Sequence, residues 1–186
     1  MRQHGSAFIM SPQELVSCDS TDAGCDGGWP TTAYDWIEQE GGLVAESDYP
    51  YTSGTAGVSG TCDSKFETYT KLVTVTDYYT LRTETSMASY ALATGPIAIA
   101  VDASAWSSYT GGILTKCGTS IDHAVQITGI NLDQNYWKVK KSLTERPNIP
   151  LHPALLGRCL CTTFAWCVAE IESKEQDSSL NKFFEH

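Results

Sequence analysis

The chain has 186 residues, 41% of them apolar, and carries 12 basic against 22 acidic side chains, a net charge of −10 with a pI near 4.7. That length holds one ordinary domain or two small ones sharing an interface. With no basic patch to grip phosphates, composition excludes a nucleic-acid-binding protein, while the acidic surface suits solubility and is compatible with an acidic compartment. Seven cysteines are many for a reducing environment, so several are expected to be paired or to bind metal, and the odd number leaves at least one free or bonded outside the chain. Residues 1–10, MRQHGSAFIM, lack the apolar centre of a signal peptide. Secretory cysteine usage without a secretory start leads us to expect that an N-terminal part of the protein is missing.

Along the chain, Ser11-Pro12-Gln13-Glu14 has the form of a helix start: serine at the cap, proline at the first helical position, and glutamate three after the cap to close a capping box. The short helix is predicted to run to about Cys18. A second helix is predicted over 31–39, where Ala33, Trp36 and Ile37 share a face and Gly41-Gly42 stop the run. Residues 43–70 show no period and read as a long ordered loop that needs a staple, for which Cys62 is a candidate. A third helix is predicted over 84–93, and strands over 97–101, 124–130 and 136–139. Helices first and strands later suggest a helical lobe beside a β lobe, divided near residues 70–80.

From about Lys141 the chain changes character, with a proline-rich start, a cysteine-rich apolar middle and a charged end. The middle is broken by Pro153, Gly157 and Arg158, whereas a membrane span needs about 20 mostly apolar residues, so no membrane association is expected. His152 with Cys159, Cys161 and Cys167 could form a metal site, but C-x-C-x₅-C matches no common zinc spacing, and no metal or other cofactor is expected.

Three segments carry a specific resemblance. They are SPQELVSCDSTDAGCDGGWP at 11–30, GGLVAESDYPYTS at 41–53, and the stretch 95–139, which begins GPIAIAVDA and contains Asp122-His123-Ala124-Val125 and Tyr136-Trp137. In this order and at these separations they resemble the papain-like (C1) cysteine peptidases. The resemblance implies an α+β, two-lobe papain-like fold. Residues 1–75 would be the remainder of the helical lobe, without the catalytic-cysteine helix. Residues 76–140 would be an incomplete antiparallel β-barrel lobe carrying the catalytic histidine, and 141–186 a tail foreign to the family. Loss of the resemblance within a strand has the form of a frame or splice change.

By the same resemblance His123 is the catalytic base, which acts by holding a thiol as thiolate. The nucleophile of this family lies in a C-G-S-C-W-type motif about 130–150 residues before the histidine. No such motif occurs in the chain. Cys25, in Gly24-Cys25-Asp26-Gly27-Gly28, corresponds to a structural cysteine whose partner lies just before the nucleophile. After Tyr136-Trp137 the family continues V-K-N-S-W-G, where the asparagine carbonyl orients the imidazole, and here Lys141 stands at that position. Lysine offers donors and no acceptor, and its charge disfavours imidazolium.

The resemblance further implies a Cys18–Cys62 disulfide, a gain of about 2–4 kcal/mol, and leaves Cys25 and Cys117 without their family partners. Gly27 and Gly28 match the backbone-pairing loop that takes substrate as an extra strand. Trp29, Pro30, Ala100 and Ala124 match the pocket for the second residue before the cut, with Asp122 beside the base. Trp106 and Tyr109 read as packing. The chain is thus expected to be a truncated papain-like endopeptidase domain, inactive by itself. The alternatives are a peptide- or inhibitor-binding pseudoprotease, or a product with no stable fold. Peptide or protein substrates and cystatin-type inhibitors are the implied partners, a monomer the implied state, and an extracellular or lysosomal/vacuolar location the implied setting.

Overall fold

The computed structural model describes residues 8–140 and the backbone strands Ala154–Leu156 and Trp166–Ser173. The chain forms two compact units. The first takes in the chain up to Gly28, Thr32–Asp77 and the chain from Glu170 on; the second takes in Trp29–Thr31 and Tyr78–Ala169.

The first unit starts with α1 (Pro12–Cys18). Its cap forms as sequence predicts on one side only: the Ser11 hydroxyl accepts from the Glu14 amide at 3.2 Å. The box does not close, because Glu14 turns its carboxylate into the interior, where Oε2 accepts from Val44 N–H at 2.8 Å. The Ser11 amide is satisfied instead by Val44 O at 3.0 Å. A 3-10 turn at Gly24–Asp26 leads to α2 (Pro30–Gln39), which buries Trp36 and Ile37.

The stretch after α2 is not a featureless loop. It contains the one-turn α3 (Ser53–Ala56) and a 3-10 turn at Phe66–Thr68. Gln13 organises it, with Nε2 donating to Ser53 Oγ at 2.7 Å and Oε1 accepting from the Thr52 and Ser53 amides at 2.7 and 2.9 Å. Phe66 stacks on Trp36 at 5.8 Å, and the Lys71 ammonium lies 3.3 Å from the Phe66 ring centroid, a cation–π contact. The Cys18–Cys62 disulfide, with Cα atoms 4.6 Å apart, ties α1 to this segment.

Strand β1 (Val73–Leu81), which the sequence reading leaves unassigned, carries the chain onward. In the second unit α4 (Glu84–Ala93) has the complete capping box that α1 lacks, built by Thr83 and Ser86. It is followed by β2 (Ile97–Val101), β3 (Ile113–Leu114), β4 (His123–Asn131) and β5 (Tyr136–Lys140), then by β6 (Ala154–Leu156) and β7 (Trp166–Ser173). The strand order here is β7-β2-β4-β5-β6-β3. The sequence beyond Lys140 thus supplies two strands to a sheet expected to lack its last members. β6 pairs with β5 and β3, and β7 with β2. Strands need backbone partners more than particular side chains, so an unfamiliar sequence can occupy an open edge.

The core of this unit is one cluster: Met87 from α4, Ile97, Ile99 and Val101 from β2, Trp106, Val125 and Ile127 from β4, and Trp137 and Val139 from β5. β4 and β5 alternate buried and exposed residues, as strands covered on one face do, whereas central β2 is almost continuously buried. The architecture is α+β.

Candidate active site

His123 opens β4, opposite Val101 at the end of β2, and Ala124 is paired with Ala100 one step further in. The imidazole is half-buried, and its ring meets the Trp106 indole in a T-shaped contact at a centroid distance of 5.9 Å and an interplanar angle of 87°. Trp106 is buried, so it fixes one side of the histidine as part of the core. This is the packing role read from sequence, with His123 among its contacts.

The turn before His123 is laced to the end of β2. Asp122 N–H donates to Val101 O at 3.1 Å, and Asp122 Oδ1 accepts from Ala103 N–H at 2.7 Å. Asp122 is exposed, and this bond commits one of its oxygens to structure. Asp102 is buried and is likewise engaged. Oδ1 accepts from the Ser104 amide at 3.0 Å and from the Ser104 hydroxyl, and Oδ2 accepts from Ser120 N–H at 2.8 Å. The Ser104 bonds, then that of Ser120, hold its carboxyl below the usual carboxylate range. A Cβ on Gly118 would run into this carboxylate, so the residue there must be glycine for the turn to close. Nothing in composition singles out Asp102. Its one local sign is the Asp-x-Ser spacing of a side-chain-to-backbone turn.

The residues matched to substrate binding are divided between the units. Gly27 and Gly28 follow the 3-10 turn of the first unit; Trp29, Pro30, Ala100 and Ala124 belong to the second. Trp29 is exposed, Pro30 begins α2, Ala100 is buried and Ala124 is exposed. Gly27 has φ of +107°, and a Cβ at Gly28 would collide with the Asp22 side chain, whose carboxylate accepts from Thr32 Oγ1 at 2.7 and 2.8 Å. Asp22 thus fills the space that a side chain at Gly28 would need, whereas a Cβ at Gly27 would meet nothing within 4 Å.

Among the described cysteines Cys25 is free and exposed. Cys117 is disulfide-bonded, which corrects the expectation that it lacks a partner. Its partner lies outside the described residues, and the sequence beyond Lys140 carries three further cysteines, enough to replace the one the family would supply. Lys141, His152, Cys159 and Cys161 also fall outside the described residues, as does the Cys167 side chain. Among the described residues no group of three or more His, Cys, Asp or Glu side chains could hold a metal ion, and no helix is long and apolar enough to cross a membrane.

A sequence profile described as papain family cysteine protease matches residues 1–146. A cysteine proteinase of Trypanosoma brucei brucei is 40% identical over 139 residues, 72% of this chain and 30% of that protein. Cysteine proteinase A of Leishmania mexicana is 40% identical over 143 residues, 74% of this chain and 39% of that one. The chain thus spans well under half the length of these relatives. Among solved structures, the bromelain protease of Ananas comosus in complex with the E64 inhibitor superposes with a TM-score of 0.76 and 27% identity, covering 91% of this chain and 81% of that one. A cysteine protease of Carica candamarcensis in complex with E-64 gives 0.74 and 26%, covering 89% and 79%.

Proposed function

Because the chain belongs to the papain family of cysteine proteases, we propose that it derives from a thiol endopeptidase in which His123 is the general base, and that the chain as it stands does not hydrolyse peptides. The observation that carries the first half is the placement of His123, at the start of β4 opposite Val101 and against the Trp106 ring, within a match that covers residues 1–146. In such an enzyme the imidazole takes the thiol proton, the thiolate attacks the peptide carbonyl, and the imidazolium returns the proton to the leaving amine.

The second half rests on the thiols. Among the described residues Cys18, Cys62 and Cys117 are in disulfides and cannot become thiolates, and Cys25 sits in the family's structural context; none of the cysteines beyond Lys140 stands in a C-G-S-C-W-type motif. Lys141 in place of asparagine removes the acceptor that would hold the imidazole in its working orientation. Peptides are the substrate class, and E-64-type epoxides and cystatin-type inhibitors the ligands that a restored site would take. A secreted or lysosomal/vacuolar setting suits the Cys18–Cys62 disulfide.

Treatment of the chain with an E-64-type epoxide, followed by mass spectrometry, tests this reading against papain run in parallel. Papain is expected to be labelled and this chain not. A cysteine adduct that disappears in His123→Ala would overturn it.

One observation favours a second reading, a non-catalytic peptide binder. Gly27 carries no side chain and a Cβ there would meet nothing within 4 Å, so its backbone lies open, as strand addition by an extended peptide requires. Titration with a cystatin-type inhibitor separates the two: micromolar binding without labelling favours the binder, and no binding removes it.

A further inference from the structure

We propose that Asp102 is a positioning residue for His123: its carboxylate ties the end of β2 to the turn at 118–122 and so sets where the imidazole enters β4. The geometry for this lies within the second unit. Three consecutive residues at the end of β2 each take a hold on the segment leading to the histidine. Val101 O accepts from Asp122 N–H, Asp102 Oδ2 accepts from Ser120 N–H, and Ala103 N–H donates to Asp122 Oδ1. Val101 itself stands opposite His123 in the sheet register.

Of these three holds, only that of Asp102 is made by a buried side chain. A charged carboxylate that is only 6% exposed is tolerable when its oxygens are satisfied, and here both are. On the other side Ser104 anchors the carboxylate with its amide and its hydroxyl, so that Asp102 cannot swing to follow a moving loop. Gly118 packs against the same carboxylate so closely that no side chain fits between them. Bonds to an ionised acceptor are the stronger kind, and two of these come from backbone amides that have no freedom to rotate away. The expected result is a turn whose shape is dictated by one side chain, with the histidine as the next residue after its last hold.

The importance of this tether for chemistry rests on the reading of His123 as a base, but the tether itself does not, so the test reads the imidazole and not turnover. In the ¹⁵N-labelled chain, His123 is assigned among the four histidines by the His123→Gln spectrum, and its titration is followed by NMR. Asp102→Ala is expected to shift the His123 midpoint by about half a pH unit or more. It should also strip exchange protection from the Ser120 amide while leaving Ile127 in β4 protected. Asp102→Asn, which keeps one acceptor oxygen, should fall between the alanine variant and the parent. An unchanged His123 midpoint in Asp102→Ala with Ile127 still protected overturns the proposal. If Asp102→Ala loses the protection of Ile127 as well, Ser104→Ala decides. It leaves the carboxylate but removes its hydroxyl anchor, and a His123 midpoint shifted in the same direction supports the tether, whereas an unmoved one overturns it.

Discussion

Glu14 gives its carboxylate to the amide of Val44, thirty residues further on, and not to the helix turn in which it stands. The side chain is fully buried; Oε2 holds Val44 N–H at 2.8 Å, and Oε1 meets no hydrogen-bond donor among the described residues. Burial pushes its carboxyl up to about 7, against the pull of the Val44 bond and of Lys71, with Glu40 adding to the rise.

A carboxyl with a folded pKa above its unfolded one binds more protons folded than unfolded, so stability falls as pH rises between the two values. From the ordinary 4.5 to about 7, the loss amounts to about 3 kcal/mol. It is fully incurred above the upper value and absent below the lower one. The free energy of amide exchange at Val44 is therefore expected to drop between pH 4.5 and pH 7. In Glu14→Gln, which keeps an acceptor for Val44 and cannot ionise, that drop should vanish and stability at neutral pH should rise. An equally steep drop in the glutamine variant would assign it to another group.

The Cys18–Cys62 bond closes a segment of sequence separation 44. Loop-closure entropy for that length gives about 4 kcal/mol. The Cys18→Ala, Cys62→Ala double variant should lower the urea midpoint of the first unit accordingly. The Ser53 and Thr52 amides, held to Gln13, should lose exchange protection first, since they lie within the released segment.

Ile127 and Thr128 are neighbours on β4 with opposite surroundings, the first fully buried and the second exposed. Ile127→Ala leaves a cavity among Val125, Trp137 and the other members of the core cluster and should cost about 2–5 kcal/mol. Thr128→Ala should change stability by no more than about 0.5 kcal/mol. Thermal melts of the two variants check the difference, and equal shifts would contradict the packing described.

Much of this was legible where the signal is local. The shared face of Met87, Tyr90 and Ala91 places α4, the apolar run at 97–101 places β2, and Ser11-Pro12 place the start of α1. The inward turn of Glu14 was not legible, because its partner Val44 is brought near by the fold and not by the helix. β1 escaped for a similar reason. Only Val73 and Val75 of its nine residues are buried, so its alternation is too short to stand out from a loop rich in threonine and tyrosine.

At the site, His123 could be recognised only through its neighbours in sequence, since a single histidine carries no pattern of its own. The side chains that hold it in place, Trp106 and Asp102, act across turns of the chain that no spacing rule encodes. Cys117 shows the same limit: a disulfide joins positions by distance in space, and sequence alone could not choose among the cysteines beyond Lys140.

The most direct test of the whole account is hydrolysis of a dipeptidyl fluorogenic substrate by this chain, beside a papain control. The account expects turnover by papain and none by the chain, because Cys25, the free thiol among the described residues, stands in the family's structural context, and Lys141 stands where the resemblance puts the asparagine. Turnover by the chain that is blocked by a thiol-directed reagent and lost in His123→Ala would contradict it.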